Sequence, residues 1–402
     1  MAARDRVVVV GASISGLTAA ETLRQEGLEG EIVLLGDEQH LPYTRPPLSK
    51  QILAREWEPD DARIRTSEEL AAHRIEVRLG CAATGLDVGA RVLETTAGPL
   101  AFDELVIATG TAPRPHPALP DALTLRTMDD ALTLRDRMDR ARSIAVVGSG
   151  ILGSEIASAA RKHDAETLLI GRSGTLSFGG VGDLLTTELA ALHEEHGVEL
   201  ALRAGIRSAE RHGPATRLRF DDGGHRDVDL VVTMIGGTPR TDWLRDSSLD
   251  IVDGVACDAD GVAAPGVWAV GDVAAWADPA TGRRVRIEHQ SFAIEQAIAV
   301  GTRLAHGDAS PHPVPLFWSE VHGTRIHAYG WFDPRRPLAD ATPDAETRGR
   351  VYASHDSDGG VRGIVGWNAT PRAFRTARAA VVAAPHDSTP HTSSRHASTQ
   401  TA

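Results

Sequence analysis

The sequence is poor in cysteine and has no long apolar run. Cys81 and Cys257 are the two cysteines in 402 residues, and their separation suits neither a disulfide framework nor a set of metal ligands. We therefore predict no metal site and a reducing, cytoplasmic setting. No segment approaches the roughly 18 consecutive apolar residues of a membrane-spanning helix, and no apolar leader follows Met1. We expect no membrane partner.

Positive charge is also scarce relative to negative charge. The chain has 42 lysine and arginine residues against 55 aspartate and glutamate residues, a formal net charge of −13. Binding to nucleic acid requires concentrated cations that neutralise phosphates, so this balance argues against a nucleic-acid partner. At roughly 150 residues per domain, the length predicts two or three domains.

The sequence does contain a strand followed by a glycine-rich turn, and it contains this pattern twice. The first copy joins the run Val7–Val10 to the turn Gly11–Gly16, and the second joins Ile144–Val147 to Gly148–Gly153. Such a turn aims backbone N–H groups and a helix N-terminus at the pyrophosphate of a dinucleotide. One copy alone is weak support, because glycines also occur in ordinary turns. Two copies predict two dinucleotides, typically a flavin and a nicotinamide that exchange a hydride.

An acidic pair follows the first turn at the distance expected of a ribose-binding carboxylate. The strand Glu31–Leu35 ends just before Asp37 and Glu38, and an acid there can accept hydrogen bonds from the adenosine ribose hydroxyls. We favour Asp37 over Glu38; the alternative is a solvated acidic turn. The candidate contacts within the two glycine turns are Gly11, Ser13, Ile14, Ser15 and Gly16, and Gly148, Gly150, Ile151, Leu152 and Gly153.

The second unit lacks this acid. Its second strand, Thr167–Ile170, is followed by Gly171, Arg172 and Ser173. A cation and a hydroxyl suit a 2′-phosphate, so the sequence favours NADPH over NADH at the second site.

Proline and glycine positions predict the domain boundaries. The strand Leu105–Ile107 opens into a turn before a proline-rich linker, and the chain later returns to the first domain through a turn that brings a carboxylate to its cofactor. The candidate site residues at these junctions are Ala108, Thr109, Gly110, Gly236, Gly271 and Asp272. We predict a first dinucleotide-binding domain from residues 1–112 and 240–311, and a second from residues 113–239.

The last part of the sequence has a different pattern. Residues 312–384 alternate polar and apolar residues in short segments, followed by a helix near Arg372–Ala383, which predicts a small α+β domain. Residues 385–402 are almost without apolar residues and are predicted to be disordered. The predicted fold class is therefore α/β, with two Rossmann-like dinucleotide-binding domains plus a small α+β C-terminal domain.

Three further segments give the chain a family resemblance. They are Arg-Pro-Pro-Leu-Ser-Lys at 45–50, Ile-Glu-His at 287–289 and Phe-Trp-Ser-Glu at 317–320. Together with the two glycine turns, they resemble the FAD-dependent NAD(P)H ferredoxin reductases that serve oxygenases, the putidaredoxin reductase-like family. The disulfide reductases of the same glutathione reductase-like fold carry a CxxxxC motif where residues 41–50 of this chain have no cysteine. The resemblance covers about residues 5–384.

The resemblance implies further site residues. In the family, the lysine matching Lys50 lies beside the flavin ring and pairs with a glutamate, here Glu155. Other implied FAD contacts are Arg45, Ala83, Arg126, Glu288, His289, Gln290 and Trp318, in addition to Asp37 and Asp272. Trp318 has an alternative interpretation, because a large aromatic residue in an apolar segment is often plain core.

Three positions depart from the family pattern. Ser13 replaces the middle glycine of the first turn, although a small hydroxyl can be tolerated there. Gln290 stands where many relatives have tryptophan. Gly171 replaces the usual acid, so the common preference of the family for NADH does not carry over.

The resemblance implies an enzyme that takes hydride from NAD(P)H onto FAD. It would then pass single electrons to an iron–sulfur ferredoxin, which supplies a cytochrome P450 or another oxygenase. An acidic ferredoxin requires a local basic patch, for which the candidates are Arg63, Arg65, Arg335, Arg336, Arg348 and Arg350. One alternative is a stand-alone NAD(P)H oxidase or small-molecule flavin reductase. Another is a redox-responsive interaction module that resembles apoptosis-inducing factor.

Overall fold

The computed structural model describes residues 6–279, 282–307, 314–343 and 348–381. The first part of the chain forms β1 (Arg6–Val10), α1 (Ile14–Gln25), β2 (Glu31–Leu35), α2 (Ser67–Ala72), β3 (Ile75–Arg78), β4 (Ala83–Asp87), β5 (Val92–Thr95), β6 (Leu100–Ala101), β7 (Glu104–Ile107) and β8 (Thr111–Pro113). The middle part forms α3 (Met128–Met138), β9 (Ser143–Val147), α4 (Ile151–Lys162), β10 (Glu166–Gly171), α5 (Thr186–Glu195), β11 (Val198–Leu202), β12 (Ile206–His212), β13 (Ala215–Phe220), β14 (His225–Val228), β15 (Leu230–Thr233) and β16 (Gly237–Pro239). The last part forms β17 (Val255–Cys257), β18 (Val262–Ala264), β19 (Val267–Ala269), β20 (Ala274–Ala277), β21 (Arg284–Val285), α6 (Gln290–His306), β22 (Leu316–Val321), β23 (Thr324–Gly330), β24 (Ala339–Asp340), β25 (Arg350–His355), β26 (Val361–Trp367) and α7 (Pro371–Arg378).

The first lobe is built on a sheet with the strand order β18-β19-β7-β1-β2-β3. Neighbours from β19 to β3 run parallel, and β18 joins the edge antiparallel. β1 is central, with Val8 between Val33 of β2 and Leu105 of β7. A strand covered on both faces requires consecutive apolar residues, and Val7–Val10 are all buried. The carboxyl end of β1 therefore opens between β2 and β7, the place where such sheets bind ligands.

The second lobe repeats this plan with four parallel strands in the order β11-β10-β9-β15. β9 is internal to the sheet and leads through the second glycine turn into α4. The two lobes are joined by β8 and β16, which pair antiparallel, with Thr111 opposite Pro239 and Pro113 opposite Gly237. The chain thus leaves the first lobe and returns to it at one place.

Two small antiparallel sheets, β4-β5-β6 and β12-β13-β14, are absent from the sequence-based prediction. The second of them places Leu218 and Phe220 in one apolar cluster with Leu168 and Ile170 of β10. Most residues of β12 and β14 are partly or fully exposed. Short, charged and largely exposed strands show little apolar alternation, which explains why the pattern misses them.

The third sheet has the antiparallel order β22-β23-β26-β25-β24. Phe317 faces the second lobe, where a Cβ at Gly180 would lie 2.5 Å from its ring. The opposite face carries α7, whose Phe374 contacts the ring of His327. α7 ends at Arg378, earlier than predicted, and the predicted disordered tail, residues 385–402, lies outside the described residues. Among the described residues, no helix is long and apolar enough to cross a bilayer.

A histidine cluster lies where this sheet meets the second lobe. His193 Nδ1 and His322 Nε2 are 3.1 Å apart, and the ring of His196 stacks on His322 with 4.2 Å between centroids. The backbone N–H of His322 donates to Ser158 Oγ at 2.8 Å. Burial lowers the pKa of His193 to about 4, and burial together with the neighbouring histidines lowers the pKa of His322 to about 3. Both rings are therefore neutral at pH 7.

Candidate functional site

A cavity of about 700 Å³ lies at the carboxyl ends of the first sheet. Its walls come from the first glycine turn, the segment 37–50, the start of α4 and strand β22. The predicted site residues that line it are Gly11, Ser13, Ile14, Ser15, Asp37, Glu38, Arg45, Lys50, Ala83, Ala108, Thr109, Gly110, Arg126, Ile151, Leu152, Glu155, Asp272, Glu288, His289, Gln290 and Trp318. Residues from all three predicted domains therefore converge on one space.

The first glycine turn fits a pyrophosphate. Gly11 has φ +118°, and a Cβ there would lie 2.2 Å from the carbonyl oxygen of Ala108. A Cβ at Gly16 would lie 1.9 Å from the carbonyl oxygen of Gly11, so glycine is needed for α1 to pack this closely. Ser13 precedes α1 without capping it, and the first turn of α1 has no acidic residue. The first N–H groups of α1 are therefore available to phosphate oxygens in the cavity.

The two acids after β2 have different partners. Asp37 accepts a hydrogen bond from Arg240 Nη1 at 2.5 Å, and its side chain remains half exposed. Glu38 accepts hydrogen bonds from the Tyr43 hydroxyl at 2.5 Å and from Arg45 at 2.9 Å, and its side chain is largely buried. Glu38 is committed to protein contacts, which leaves Asp37 as the better candidate for ribose hydroxyls.

An ion pair connects the segment before α3 to the turn after β19. Arg126 Nη2 donates to Asp272 Oδ2 at 3.0 Å, and a Cβ at Gly110 would lie 3.0 Å from the same guanidinium. Burial lowers the pKa of Arg126, and the charge of Asp272 opposes this shift. In the same turn, the backbone N–H of Gly271 donates to Gln296 Oε1 at 2.9 Å, while the buried Gln296 Nε2 has no partner within the described residues.

Lys50 and Glu155 form a buried ion pair in the cavity. Lys50 Nζ lies 2.8 Å from Glu155 Oε2, and the two side chains are only 11% and 8% exposed. Ser49 Oγ donates to the same oxygen, and Ser319 Oγ donates to Glu155 Oε1 at 2.5 Å. Lys50 Nζ also lies 5.5 Å from the centroid of the Trp318 ring. Three donors thus compensate the buried carboxylate.

The segment before α6 contacts β22 at the wall of the cavity. His289 Nε2 accepts a hydrogen bond from the backbone N–H of Trp318 at 3.1 Å, and its Nδ1 lies 3.2 Å from Ser291 Oγ. The backbone N–H of Ser291 also donates to this Nδ1, at 3.3 Å, so both ring nitrogens lie against backbone donors. Burial lowers the pKa of His289, which keeps the ring neutral at pH 7. Gln290 Oε1 accepts a hydrogen bond from Thr44 Oγ1 at 3.2 Å.

Two predicted residues lie on the rim of the cavity. Trp318 is 37% exposed, whereas its neighbours Phe317 and Ser319 on β22 are buried. The interpretation of Trp318 as plain core is therefore wrong, because the strand alternation turns its indole away from the core. Glu288 accepts a hydrogen bond from Arg286 Nη1 at 2.6 Å.

The second glycine turn has the backbone geometry of the first. Gly148 has φ +130°, and a Cβ there would lie 2.0 Å from the carbonyl oxygen of Met234. A Cβ at Gly153 would lie 1.9 Å from the carbonyl oxygen of Gly148. Gly150 is the N-cap of α4, and no other part of the structure lies within 4 Å of the position that its Cβ would take. The turn therefore has open space where a second pyrophosphate would bind.

The end of β10 presents cations and no acid. A Cβ at Gly171 would lie 2.7 Å from the Cβ of Ser149, so the glycine turn leaves no room for a side chain there. Arg172 is exposed, and it lies close enough to His116 to help burial lower the pKa of that histidine. Arg203, with φ +62°, places its side chain against the loop that follows Arg172. Neither arginine forms an ion pair within the described parts of the chain.

The other predicted site residues do not line the cavity. They are Gly16, Gly148, Gly150, Gly153, Arg172, Ser173, Gly236 and Gly271. Ser173 Oγ donates to the carbonyl oxygen of Thr175 at 3.1 Å, and Gly236 has φ +92° after β15. Their contacts with a coenzyme stay predictions, as do the cofactor contacts of the residues in the cavity.

Sequence reasoning missed several residues around the cavity. Tyr43, Ser49, Arg240 and Trp243 line it, and Ser319 braces Glu155. Ser49 and Ser319 lie inside the family motifs, which is the one signal that could have found them. Arg240 has no local signal, because a partner 203 residues earlier in the chain defines its role. Within the described residues, no group of three or more His, Cys, Asp or Glu side chains could hold a metal ion.

Comparison with known proteins agrees with this geometry. Residues 5–297 match the pyridine nucleotide-disulphide oxidoreductase family. The ferredoxin–NAD(+) reductase component of the p-cumate 2,3-dioxygenase system of Pseudomonas putida is 35% identical over 338 residues, 81% of this chain and 81% of the relative. The corresponding subunit of the benzene 1,2-dioxygenase system of Pseudomonas putida is 32% identical over 332 residues, 81% of this chain and 80% of the relative.

Solved structures show the same relationship. The covalent putidaredoxin reductase–putidaredoxin complex contains a chain that superposes with a TM-score of 0.87 at 26% identity, covering 94% of this chain and 93% of that one. The predicted α/β fold and the predicted family resemblance are confirmed, and family membership implies FAD and a pyridine nucleotide as cofactors. This chain therefore belongs to the pyridine nucleotide-disulphide oxidoreductase family, and it is an oxidoreductase of the putidaredoxin reductase-like type.

Proposed function

We propose that this protein takes hydride from a reduced pyridine nucleotide onto bound FAD and passes single electrons to an iron–sulfur ferredoxin. The ferredoxin would in turn supply a cytochrome P450 or another oxygenase. The observation that carries the proposal is the buried Lys50–Glu155 ion pair, in a cavity that both α1 and α4 reach. The names of the relatives described above, reductase components of dioxygenase systems, support the same reaction.

Different residues of the cavity bind the flavin and activate it. FAD, when bound, supplies the chemistry that converts a two-electron donor into single-electron steps. The Lys50 ammonium stabilises negative charge beside it in a site of low dielectric. Glu155 keeps that ammonium in place and compensates its charge. The start of α1 binds the pyrophosphate, and Asp37 binds the adenosine ribose.

The exposed indole of Trp318 gives the cavity a border with the protein surface, where a ferredoxin can approach. Four of the arginines predicted to form a docking patch instead pair with carboxylates, namely Arg63, Arg65, Arg335 and Arg336. Their charge is offset locally. Arg348 and Arg350 form no ion pair within the described residues, and of the predicted candidates we favour these two.

Electron transfer to a carrier protein tests the proposed reaction. Purified FAD-loaded protein would be mixed with a reduced pyridine nucleotide, a [2Fe–2S] ferredoxin and cytochrome c. We expect cytochrome c reduction that depends on the ferredoxin and saturates with it. Equal rates with and without the ferredoxin would favour a stand-alone oxidase or reductase and would overturn the proposal.

We also propose NADPH as the preferred coenzyme. The contacts of Ser149 exclude a side chain at Gly171, where an NADH site would carry its ribose-binding acid. Arg172 and Arg203 form no ion pair with a carboxylate in the described residues. Two guanidinium groups without such pairs and a hydroxyl, at the ends of β10 and β11, suit the charge of a 2′-phosphate.

Anaerobic stopped-flow reduction of the flavin by NADH and by NADPH tests this choice. We expect faster reduction by NADPH, and we expect Arg172→Ala to remove that advantage without changing the reaction with NADH. Arg211→Ala, an exposed arginine on β12 of the same lobe, is the matched control. Faster reduction by NADH in the wild type would contradict the coenzyme choice while leaving the reductase reaction intact.

A further inference from the structure

Three separate parts of the chain meet at the carboxylate of Glu155. Glu155 itself lies on α4 of the second lobe, while Lys50 and Ser49 come from the segment before α2. Ser319 comes from β22 of the third sheet and is 2% exposed. The ion pair beside the flavin site is therefore completed by the C-terminal sheet.

The two oxygens of this carboxylate are held differently. Oε2 receives both the Lys50 ammonium and the Ser49 hydroxyl, whereas Oε1 has one hydrogen bond within the described residues, from Ser319 Oγ at 2.5 Å. When all donors bind one oxygen, the carboxylate can still rotate about χ3, the last side-chain torsion. In glutamate this torsion is only weakly restricted. A donor on the second oxygen removes that freedom. The orientation of the carboxylate thus depends on Ser319 more than on Ser49.

The position of Lys50 Nζ depends in turn on that carboxylate. Its other contacts are weaker, namely the carbonyl oxygen of Pro46 at 3.3 Å and the face of the Trp318 ring at 5.5 Å. Because both lie nearby, an ammonium released from Glu155 has alternative places to lie. The strength of its field at the flavin ring changes with its distance from that ring.

We propose that Ser319 is a positioning residue, which orients the Glu155 carboxylate and through it fixes the Lys50 ammonium against the flavin. The inference rests on the proposed function, since it assigns Lys50 to the flavin site. Strand alternation gives the inference a structural basis, because β22 turns Trp318 toward the surface and Ser319 toward Glu155. The C-terminal sheet thus contributes to hydride transfer as well as to the surface that meets a partner.

Acylation of the lysine side chains tests the role of Ser319 directly. Lys50 and Lys162 are its two lysines, and Lys162 is half exposed and paired with Glu56 on the surface. In FAD-loaded protein, an amine-acylating reagent would be applied and the two sites quantified by mass spectrometry. We expect Ser319→Ala to raise the labelling of Lys50 severalfold relative to Lys162. Ser49→Ala should raise it less, and Ser354→Ala, a buried serine of the same sheet, should not change it.

Two further readouts separate positioning from general damage. With Ser319→Ala we expect a more negative flavin midpoint potential and flavin reduction roughly tenfold slower, and Ser319→Thr should restore both. Thermal unfolding should show that Ser319→Ala and Ser354→Ala are both fully folded at the assay temperature. Unchanged Lys50 labelling and unchanged potential in Ser319→Ala would overturn the inference. If the labelling changes while the wild type fails to reduce a ferredoxin, the proposed function is wrong and the positioning role stands.

Discussion

The two glycine turns share one backbone design and differ in what surrounds them. In both, the first glycine lies against a carbonyl oxygen of a neighbouring strand end, and the last lies against the carbonyl of the first. In the first turn, the middle position is Ser13, whose hydroxyl lies 3.3 Å from Arg45 Nε. In the second turn, the middle position is Gly150, which has open space around it.

From this difference we infer that the first turn retains its cofactor, whereas the second binds a coenzyme that exchanges. The first turn is enclosed by ion pairs from distant segments, such as Arg240 with Asp37 and Arg126 with Asp272. Beside the second turn, Arg172 follows β10 and Arg203 follows β11, and neither forms an ion pair within the described residues. Charges already paired favour a ligand bound once and retained, whereas unpaired cations favour a ligand that brings its own negative charge.

Adding one methyl group to the last glycine of each turn should have the largest effect, and the effect should differ between the two turns. We expect Gly16→Ala to give protein that no longer retains flavin, because the new Cβ overlaps a carbonyl oxygen and pushes α1 away from its strand. Gly153→Ala should keep the flavin but abolish its reduction by either coenzyme. The 450 nm absorbance after gel filtration, followed by stopped-flow reduction, measures both. Gly89→Ala, with no contact closer than 3.5 Å, is the control, and equal flavin loss in both variants would contradict the division.

Neutralising the ammonium between the two sites should have the next largest effect. We expect Lys50→Met to retain FAD and to lower the rate of flavin reduction on the order of 100-fold, the loss typical of removing one electrostatic stabiliser. Lys162→Met removes the other lysine of the chain and should leave that rate unchanged. A variant Lys50→Met that reduces its flavin at the wild-type rate would show that the ion pair is structural.

Acid should destabilise the protein at the histidine cluster between the second lobe and the third sheet. His193 and His322 have folded-state pKa values of about 4 and about 3, below the ordinary value of 6.5. The unfolded chain therefore binds protons that the folded chain does not, so stability is complete above pH 6.5 and falls as the pH drops toward 4. For His193 alone the loss is on the order of 3 kcal/mol.

Urea unfolding between pH 7.5 and pH 4.5 measures this loss. His193→Phe should flatten the pH dependence, while His225→Phe at an exposed site should not. A pH dependence that is identical in the wild type and in His193→Phe would place the responsible groups elsewhere.

The smallest effect is expected at Gly171, where a new acid should change the preference between NADH and NADPH. Gly171→Glu alone should fail to improve the use of NADH, since its Cβ meets Ser149. The double variant Gly171→Glu with Ser149→Gly removes that overlap and supplies the missing ribose acid. We expect it to shift the ratio of kcat/KM for NADH over NADPH by about tenfold. A shift of the same size in Gly171→Glu alone would show that the close contact is relieved without cost.

The local sequence was sufficient to predict the buried strands and the glycine turns. The strand Glu31–Leu35 has the predicted bounds. Lys50 and Glu155 are paired as the family resemblance implies. Buried apolar runs and glycine turns leave a strong signal because packing and backbone sterics restrict the residue types.

The remaining contacts depend on tertiary structure and left no such signal. Arg240 reaches Asp37 only because β16 returns beside β8. Ser319 meets Glu155 only because the third sheet docks on the second lobe. The neutral state of His193 follows from its burial beside His196 and from no pattern around it. The first two of these contacts join residues that are far apart in the sequence. The local pattern of apolar and polar residues does not predict such contacts.

The antiparallel pairing of β8 with β16 has a consequence for how this protein could have arisen and could be rebuilt. Since Thr111 and Pro239 lie opposite each other, the intervening residues form an insertion with both ends at one point. A gene segment spanning them could be exchanged for one of a different coenzyme preference without cutting the strands of the first sheet. The interface with the segment 43–53, which packs into the same apolar cluster as the second lobe, is the surface that such a transplant would have to match.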